Sequence, residues 1–358
     1  MPTRRAVVST AAVGAPFLLS RRLRAAPMRS VQLTLPWVAE GSNLFAFVAK
    51  ANGYWASAGL DVSITRGYGS VAAAQAIAAG RFEFGFAVPP AAIQQAAKGL
   101  PLVSLAVCNY DATMCIAVLA DSPVHEPKQL DGKTIGGTVN SGEYPFLPAF
   151  AKASGLDLST VHLVKVDPNV RQRVLMQHQV DGITGFAISI APPLAANNMQ
   201  GRYMLYSAYG LKFYGNVLLT RPETLKAAPK LCAAMAKGVE QAVRFCLLYP
   251  DEALKLFLHA VPEAALAANG PKQVATGLGI FNLTAIDKLA QQHGLGMSNP
   301  ADYVRMTDLV MKYLAGPGDK RPDPAAMYTN EFVGGASLTA AEWQRAEANV
   351  KEYRNFFA

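Results

Sequence analysis

Charged residues make up only 16% of the 358-residue chain, and acidic residues are absent from the first 26 positions, which carry Arg4, Arg5, Arg21, Arg22 and Arg24. The formal charge of +8 therefore sits mostly at the N-terminus; the remainder holds 28 basic against 25 acidic residues, a net of about +3. So small a balance leaves no basic footprint for nucleic acid, and none is expected as a partner. Cysteine is scarce too. Cys108, Cys115, Cys232 and Cys246 match no zinc or redox spacing. Cys232 and Cys246 lie on one helical stretch, about 21 Å apart in rise, too far to bond. Cys108 and Cys115 flank Asn109-Tyr110-Asp111 and either pair across a hairpin or stay as buried free thiols. The five histidines (His125, His162, His178, His259, His293) are scattered, and no P-loop, nucleophile elbow or metal-ligand cluster occurs. No catalytic residue, cofactor or metal is expected.

What is present in quantity is apolar residue, 51% of the chain. That composition excludes disorder, and the length exceeds what one core usually organises, so two lobes are expected. The N-terminus reads Thr3-Arg4-Arg5, an uncharged stretch over 6–20, then Arg24-Ala25-Ala26-Pro27. This is the form of an export signal over 1–28, and the paired arginines suit the twin-arginine route. The stretch is too short for a comfortable membrane span. The rest is expected to be soluble, periplasmic and monomeric.

From residue 30 strand-like and helix-like segments alternate. Strands are expected over 31–36, 60–65, 82–87 and 101–108, with helices over 44–58, 70–79 and 89–98 between them. After a strand over 114–120 the rhythm restarts. Strands over 134–137, 161–166, 182–186 and 203–208 alternate with helices over 143–154, 170–178 and 187–198. Such βα alternation specifies α/β lobes built on mostly parallel sheets. One more strand over 216–220 precedes helices over 222–228, 230–249, 251–259, 283–293 and 300–314. A terminal helix over 339–353 opens on Thr339 with Glu342 three residues on, a capping box. No strong internal repeat stands out.

Several segments resemble one family. Asn52-Gly53-Tyr54-Trp55 with Gly59-Leu60-Asp61-Val62, then Gly69-Ser70 with Gly80-Arg81-Phe82-Glu83, look like two signatures of ABC transporter substrate-binding proteins. The branch is that of nitrate, sulfonate, taurine and thiamine-pyrimidine-precursor binders. Asp131-Gly132-Lys133, Tyr209-Gly210-Leu211 and Tyr328-Thr329-Asn330-Glu331-Phe332 also fit, the last most like the pyrimidine-precursor sub-branch. The resemblance implies a type II periplasmic-binding fold with two hinge crossovers and extra C-terminal helices. It implies capture of a small molecule by hinge closure and delivery to a membrane permease. Read with the element order, it puts the crossovers near 119–122 and 208–215. Lobe 1 then spans 29–120 plus 211–358, and lobe 2 spans 121–210.

Ligands in open α/β sheets sit beyond the carboxyl ends of the strands. The first such segment carries Trp37, Glu40 and Asn43; the second, Tyr68, Gly69 and Ser70; the third, Val88. Asn140, Ser141, Glu143 and Tyr144 open the second lobe's first helix. Gly69-Ser70 and Asn140-Ser141-Gly142 offer backbone N–H groups suited to a carbonyl or anion, though Ser70 fits plain N-capping equally. Phe186 and Tyr214, with Tyr110, Tyr209 and Phe213, sit at strand ends or crossovers, where they stack on a flat ligand or pack the hinge. Asp181 fits a structural turn better than a ligand contact. Arg66, Arg171 and Arg173 are the nearest cations, and none is placed in the cleft by this reading.

A small planar heterocycle, pyrimidine-like, is the expected ligand, with a sulfonate, nitrate or carboxylate as the alternative. A ligand sensor is a further alternative. The least favoured is an enzyme similar to the pyrimidine synthase of the same fold, whose clustered cysteine motif is missing here.

Overall fold

The computed structural model describes residues 27–356. The expected export signal therefore lies, but for its last two residues, outside the described part. Ten strands are formed: β1 (Arg29–Thr34), β2 (Leu60–Thr65), β3 (Phe84–Ala87), β4 (Val103–Val107), β5 (Met114–Leu119), β6 (Thr134–Gly137), β7 (His162–Lys165), β8 (Gly182–Phe186), β9 (Gly201–Leu205) and β10 (Val217–Thr220). They build two five-stranded sheets, β2-β1-β3-β10-β4 and β7-β6-β8-β5-β9, with helices packed on them.

The two sheets have the same plan. In each, three neighbouring strands run parallel, and the fourth position is taken by a strand running antiparallel to both its neighbours: β10 in the first sheet and β5 in the second. Both of these strands enter from a crossover. The repeat is one of topology, without a matching sequence repeat.

The strand β5 corrects the expected lobe boundary. It was grouped with lobe 1, but it pairs with β8 and β9 of the second sheet. The first crossover is thus the segment 108–113, not 119–122. The cause is physical: β4, β5 and β10 are buried on both faces. A strand apolar on every side carries no alternation to say which sheet it joins. The second crossover is the segment 206–216, from which β10 returns to the first sheet.

Thr113, in the first crossover, has φ 53°, a left-handed conformation unusual for a β-branched residue. Its backbone N–H donates to the Asp111 carboxylate at 2.8 Å, and its Oγ1 accepts the N–H of Ile188 at 3.2 Å. The hinge strand is thereby tied to the start of helix Ala187–Ala196.

The C-terminal helices mostly cover the first lobe. In helix Pro229–Leu248, Gly238 lies so near the Trp55 indole that a Cβ there would come within 2.2 Å of it, and Trp55 Nε1 donates to the Met235 carbonyl at 3.2 Å. Helix Gly270–Ala285 is different, because it packs against helix Ala187–Ala196 of the second lobe. Only its last turn was expected, as part of a helix over 283–293, which is in fact two elements broken before Lys288. Gly270, Gly277 and Gly279 weaken the helical signal. Gly279 is required by contact: a Cβ there would meet the Tyr353 ring at 2.1 Å.

The capping box at Thr339 and Glu342 is formed. All four cysteines are free and buried, so Cys108 and Cys115 do not pair. Residues 182–201 run uncharged for 20 positions. They are divided between β8 and a ten-residue helix containing Pro192 and Pro193. No helix among the described residues is long and apolar enough to cross a membrane.

Candidate ligand-binding cleft

The carboxyl ends of both sheets face a cleft divided into two compartments. The inner one is a cavity of about 40 Å³. Trp37, Ser42, Ser70 and Val88 reach it from the first lobe, and Ser141, Arg171, Phe186 and Ser189 from the second. The outer one, of about 390 Å³, is bounded by Trp37, Glu40, Gln172, Arg173, Pro192 and the helix Gly270–Ala285. Trp37 borders both. A cavity of 40 Å³ holds a few waters at most, since each needs roughly 10–15 Å³. Entry of a six-membered ring therefore requires the lobes to part.

The decisive side chain is one the sequence reading kept out of the cleft. Arg171, the first residue of helix Arg171–Met176 beyond β7, is 1% exposed. Its guanidinium carbon lies 4.6 Å from the centroid of the Trp37 ring, a cation–π contact made across the two lobes. Its Nε and Nη1 have no hydrogen-bond partner. The rule that singled out loops after the other strands, applied to β7, would have found it.

Two carboxylates attend this guanidinium. Glu143 is fully buried and accepts hydrogen bonds from the hydroxyls of Ser141 and Thr184, the latter at 3.0 Å. Glu40 accepts from Ser42 at 2.7 Å and, across the lobes, from Ser189 at 2.5 Å. Burial raises both carboxyl pKa values above the usual range, while Arg171 and the serines pull them back. Glu40 as a residue is only half-buried; it is the carboxyl that is withdrawn from water. The arginine's own pKa is lowered by burial and supported by Glu143 and then Glu40. The site thus holds one guanidinium against two carboxyls.

The remaining expected residues divide clearly. Gly69, Ser70, Val88, Ser141 and Phe186 line the inner cavity with Trp37. Ser70 does not cap its helix; its Oγ accepts the Val88 N–H at 3.3 Å. Asn140 contributes its backbone, whose carbonyl takes the Val71 N–H at 3.2 Å from the other lobe. Gly69 is fitted to that contact, with φ 125° and a virtual Cβ only 2.0 Å from the same oxygen. The Ser141 N–H is likewise committed, to Thr138. Of the amides expected to receive an anion, those of Gly69 and Ser141 are already occupied, by the carbonyls of Pro36 and Thr138.

Asn43, Tyr68, Tyr144 and Tyr214 fall outside both compartments. Asn43 is buried and braces its own loop, donating to the Val38 carbonyl at 2.8 Å. Tyr68 is 53% exposed with the Arg66 guanidinium over its ring. Tyr144 lies against Gly137, whose missing side chain leaves room for the ring. Tyr214 packs edge-on to Tyr110 and donates to Asp302 at 2.6 Å, a hinge-side role. Asp181 is structural, accepting the Thr134 N–H at 2.8 Å.

Ser42, Ser189, Ile188 and Gln172 were missed. Gln172 shows how the wall is built. Pro193 has no N–H for the Ser189 carbonyl four residues back, and the Gln172 side-chain amide donates to that carbonyl instead, at 3.2 Å. Among the described residues no group of three potential metal ligands occurs.

A family model described as NMT1/THI5 like matches residues 42–253. The chain is similar to the formylaminopyrimidine-binding protein of Halalkalibacterium halodurans, 26% identical over 241 residues that cover 66% of this chain and 72% of that protein. In structure it resembles the alkanesulfonate-binding protein of Xanthomonas axonopodis pv. citri (TM-score 0.61, 15% identity, covering 85% of this chain and 100% of the other). It also resembles the periplasmic nitrate-binding protein of Synechocystis PCC 6803 (TM-score 0.61, 13% identity, covering 92% and 91%). The fold is that of the type II periplasmic binding proteins.

Proposed function

The chain belongs to the NMT1/THI5-like family, and from that premise we propose that it is the exported solute-binding component of an ABC importer, closing its two lobes on a small planar, pyrimidine-like heterocycle and presenting it to a permease. One observation carries the choice of ligand. The inner compartment sets the rings of Trp37 and Phe186 beside a guanidinium already balanced by Glu143 and Glu40. Stacking surface with little net charge favours a flat, largely neutral ligand. An oxyanion is best held by excess positive charge, and here the one guanidinium, with Nε and Nη1 unpartnered, faces two carboxyls, while the backbone N–H groups of Gly69 and Ser141 are already bonded. The relative named for a formylaminopyrimidine supports the same reading. The role read here is capture, in keeping with the binding proteins that the chain resembles.

The test is a calorimetric comparison of pyrimidines against sulfonate, nitrate and simple carboxylates, using wild type and Trp37→Ala. Pyrimidine binding that weakens about tenfold or more in the variant is expected from the loss of a buried stacking partner. Binding of an oxyanion alone replaces the heterocycle by the anion as ligand.

A further inference from the structure

Resting on the reading of this cleft as a heterocycle site, we infer that Glu40 and Glu143 set the hydrogen-bond polarity demanded of the ligand, acting through three serines. The class selected is a planar ring with an N–H donor edge, such as an exocyclic amino group. The same ring with a carbonyl in that place is rejected.

An ionised carboxylate only accepts hydrogen bonds, whereas a serine hydroxyl has a single hydrogen and two lone pairs. Ser42 and Ser189 both direct their hydrogen to Oε1 of Glu40, and Ser141 directs its hydrogen to Oε2 of Glu143. Thr184 occupies the other oxygen of Glu143. All three serines line the inner cavity, whereas neither carboxylate does. What those serines can offer a ligand is therefore lone pairs. They are acceptors, although serine at large is ambivalent. Burial raises both carboxyl pKa values, and Arg171 opposes it, in the direction of the charged, acceptor-only form.

The cavity's donors are distinct groups. Ser70 accepts the Val88 N–H, leaving its hydroxyl hydrogen uncommitted, and Arg171 holds Nε and Nη1 unpartnered. A fitting ring thus carries N–H toward Ser42, Ser141 and Ser189, and a ring nitrogen or other acceptor toward Arg171 or Ser70. A carbonyl facing the serines meets lone pairs, and the buried oxygens are left without donors. Sites built to pair a polar substrate group discriminate strongly against analogues that cannot pair. Glu40 and Glu143 touch no ligand in this scheme; they are positioning residues.

The experiment uses 4-amino-2-methylpyrimidine, 2-methylpyrimidin-4-one and 2,4-dimethylpyrimidine with the full chain, by titration calorimetry at pH 8, where the carboxyls are furthest from protonation. Wild type is expected to bind the amino ring about tenfold or more tightly than either analogue. In the Ser141→Ala/Ser189→Ala double variant, shown to be folded by its melting curve, the preference should fall to about threefold or less. If that variant does not fold, Ser189→Ala alone, which leaves Glu40 its bond from Ser42, should show a reduced preference. Equal or tighter wild-type binding of the oxo ring, or a preference untouched by a folded serine variant, overturns the inference while leaving a heterocycle-binding cleft. Failure of all three rings with retained binding of sulfonate or nitrate overturns the ligand reading itself, and failure of every compound overturns both.

Discussion

The two lobes share a sheet plan but contribute different chemistry to the cleft. The first supplies Trp37 and the acceptor Glu40 on the long loop after β1, with Ser70 at the turn after β2. The second supplies Arg171, the one buried cation among the described residues, with Glu143 and Ser189 around it. Neither half is a complete site. An indole without the guanidinium is one apolar wall, and a guanidinium without Glu40 loses one of its two balancing carboxylates. Closure joins them through the Arg171–Trp37 contact, the Ser189–Glu40 bond and the Val71–Asn140 bond. The difference teaches that the proposed site is complete only where the two lobes meet, so that mutations on either side should act on closure as well as on contact.

The sharpest way to break this comparison is Arg171→Met. It removes the cation but keeps the volume, leaving Glu143 buried without its partner. Loss of one member of a buried charge cluster costs about 3–5 kcal/mol, so a marked drop in unfolding free energy is expected in denaturant titrations. A variant as stable as wild type would show that Glu143 is neutral in the folded protein.

A smaller effect concerns pH. Burial holds the Glu143 carboxyl above its ordinary value of 4.5. Between the unfolded and folded pKa values the native state binds more protons than the unfolded chain, so this group makes stability fall as pH rises through that window. Below 4.5 the penalty is absent; above the folded pKa it is full. Glu143→Gln should flatten that part of the stability–pH curve, and an unchanged slope would assign it to other groups, Glu40 first.

The smallest expected effect is that of Tyr214→Phe. Its hydroxyl bonds Asp302 and accepts the Asn299 N–H on the hinge side, outside both compartments. A loss of about 1 kcal/mol or less in stability and unchanged ligand affinity are expected. A large affinity change would move this residue into the site.

Much of the architecture was legible because it is written in local patterns. The strands β2, β6 and β8 and the helix beginning at Ser70 follow from alternation, glycine stops and cap residues. Trp37, Ser70, Val88 and Ser141 were found because strand ends in α/β sheets point at the cleft. What escaped has a common cause in long-range contact. The helix Gly270–Ala285 hides behind glycines, one of which exists for a ring seventy-four positions away. Ser189 looked like an interior helix residue, and only the fold sets it against Glu40, 149 residues distant.

The sequence alone determined the α/β plan, through periodicities and turn chemistry within a few dozen residues, and pointed to the family through motifs that resemble it and to several loops of the cleft through their strand ends. Only the tertiary structure decided that β5 crosses to the second sheet, that Arg171 faces Trp37, and that three serines are fixed as acceptors. Those outcomes depend on which buried surfaces meet and which carboxylate each hydroxyl finds, and no local pattern encodes either.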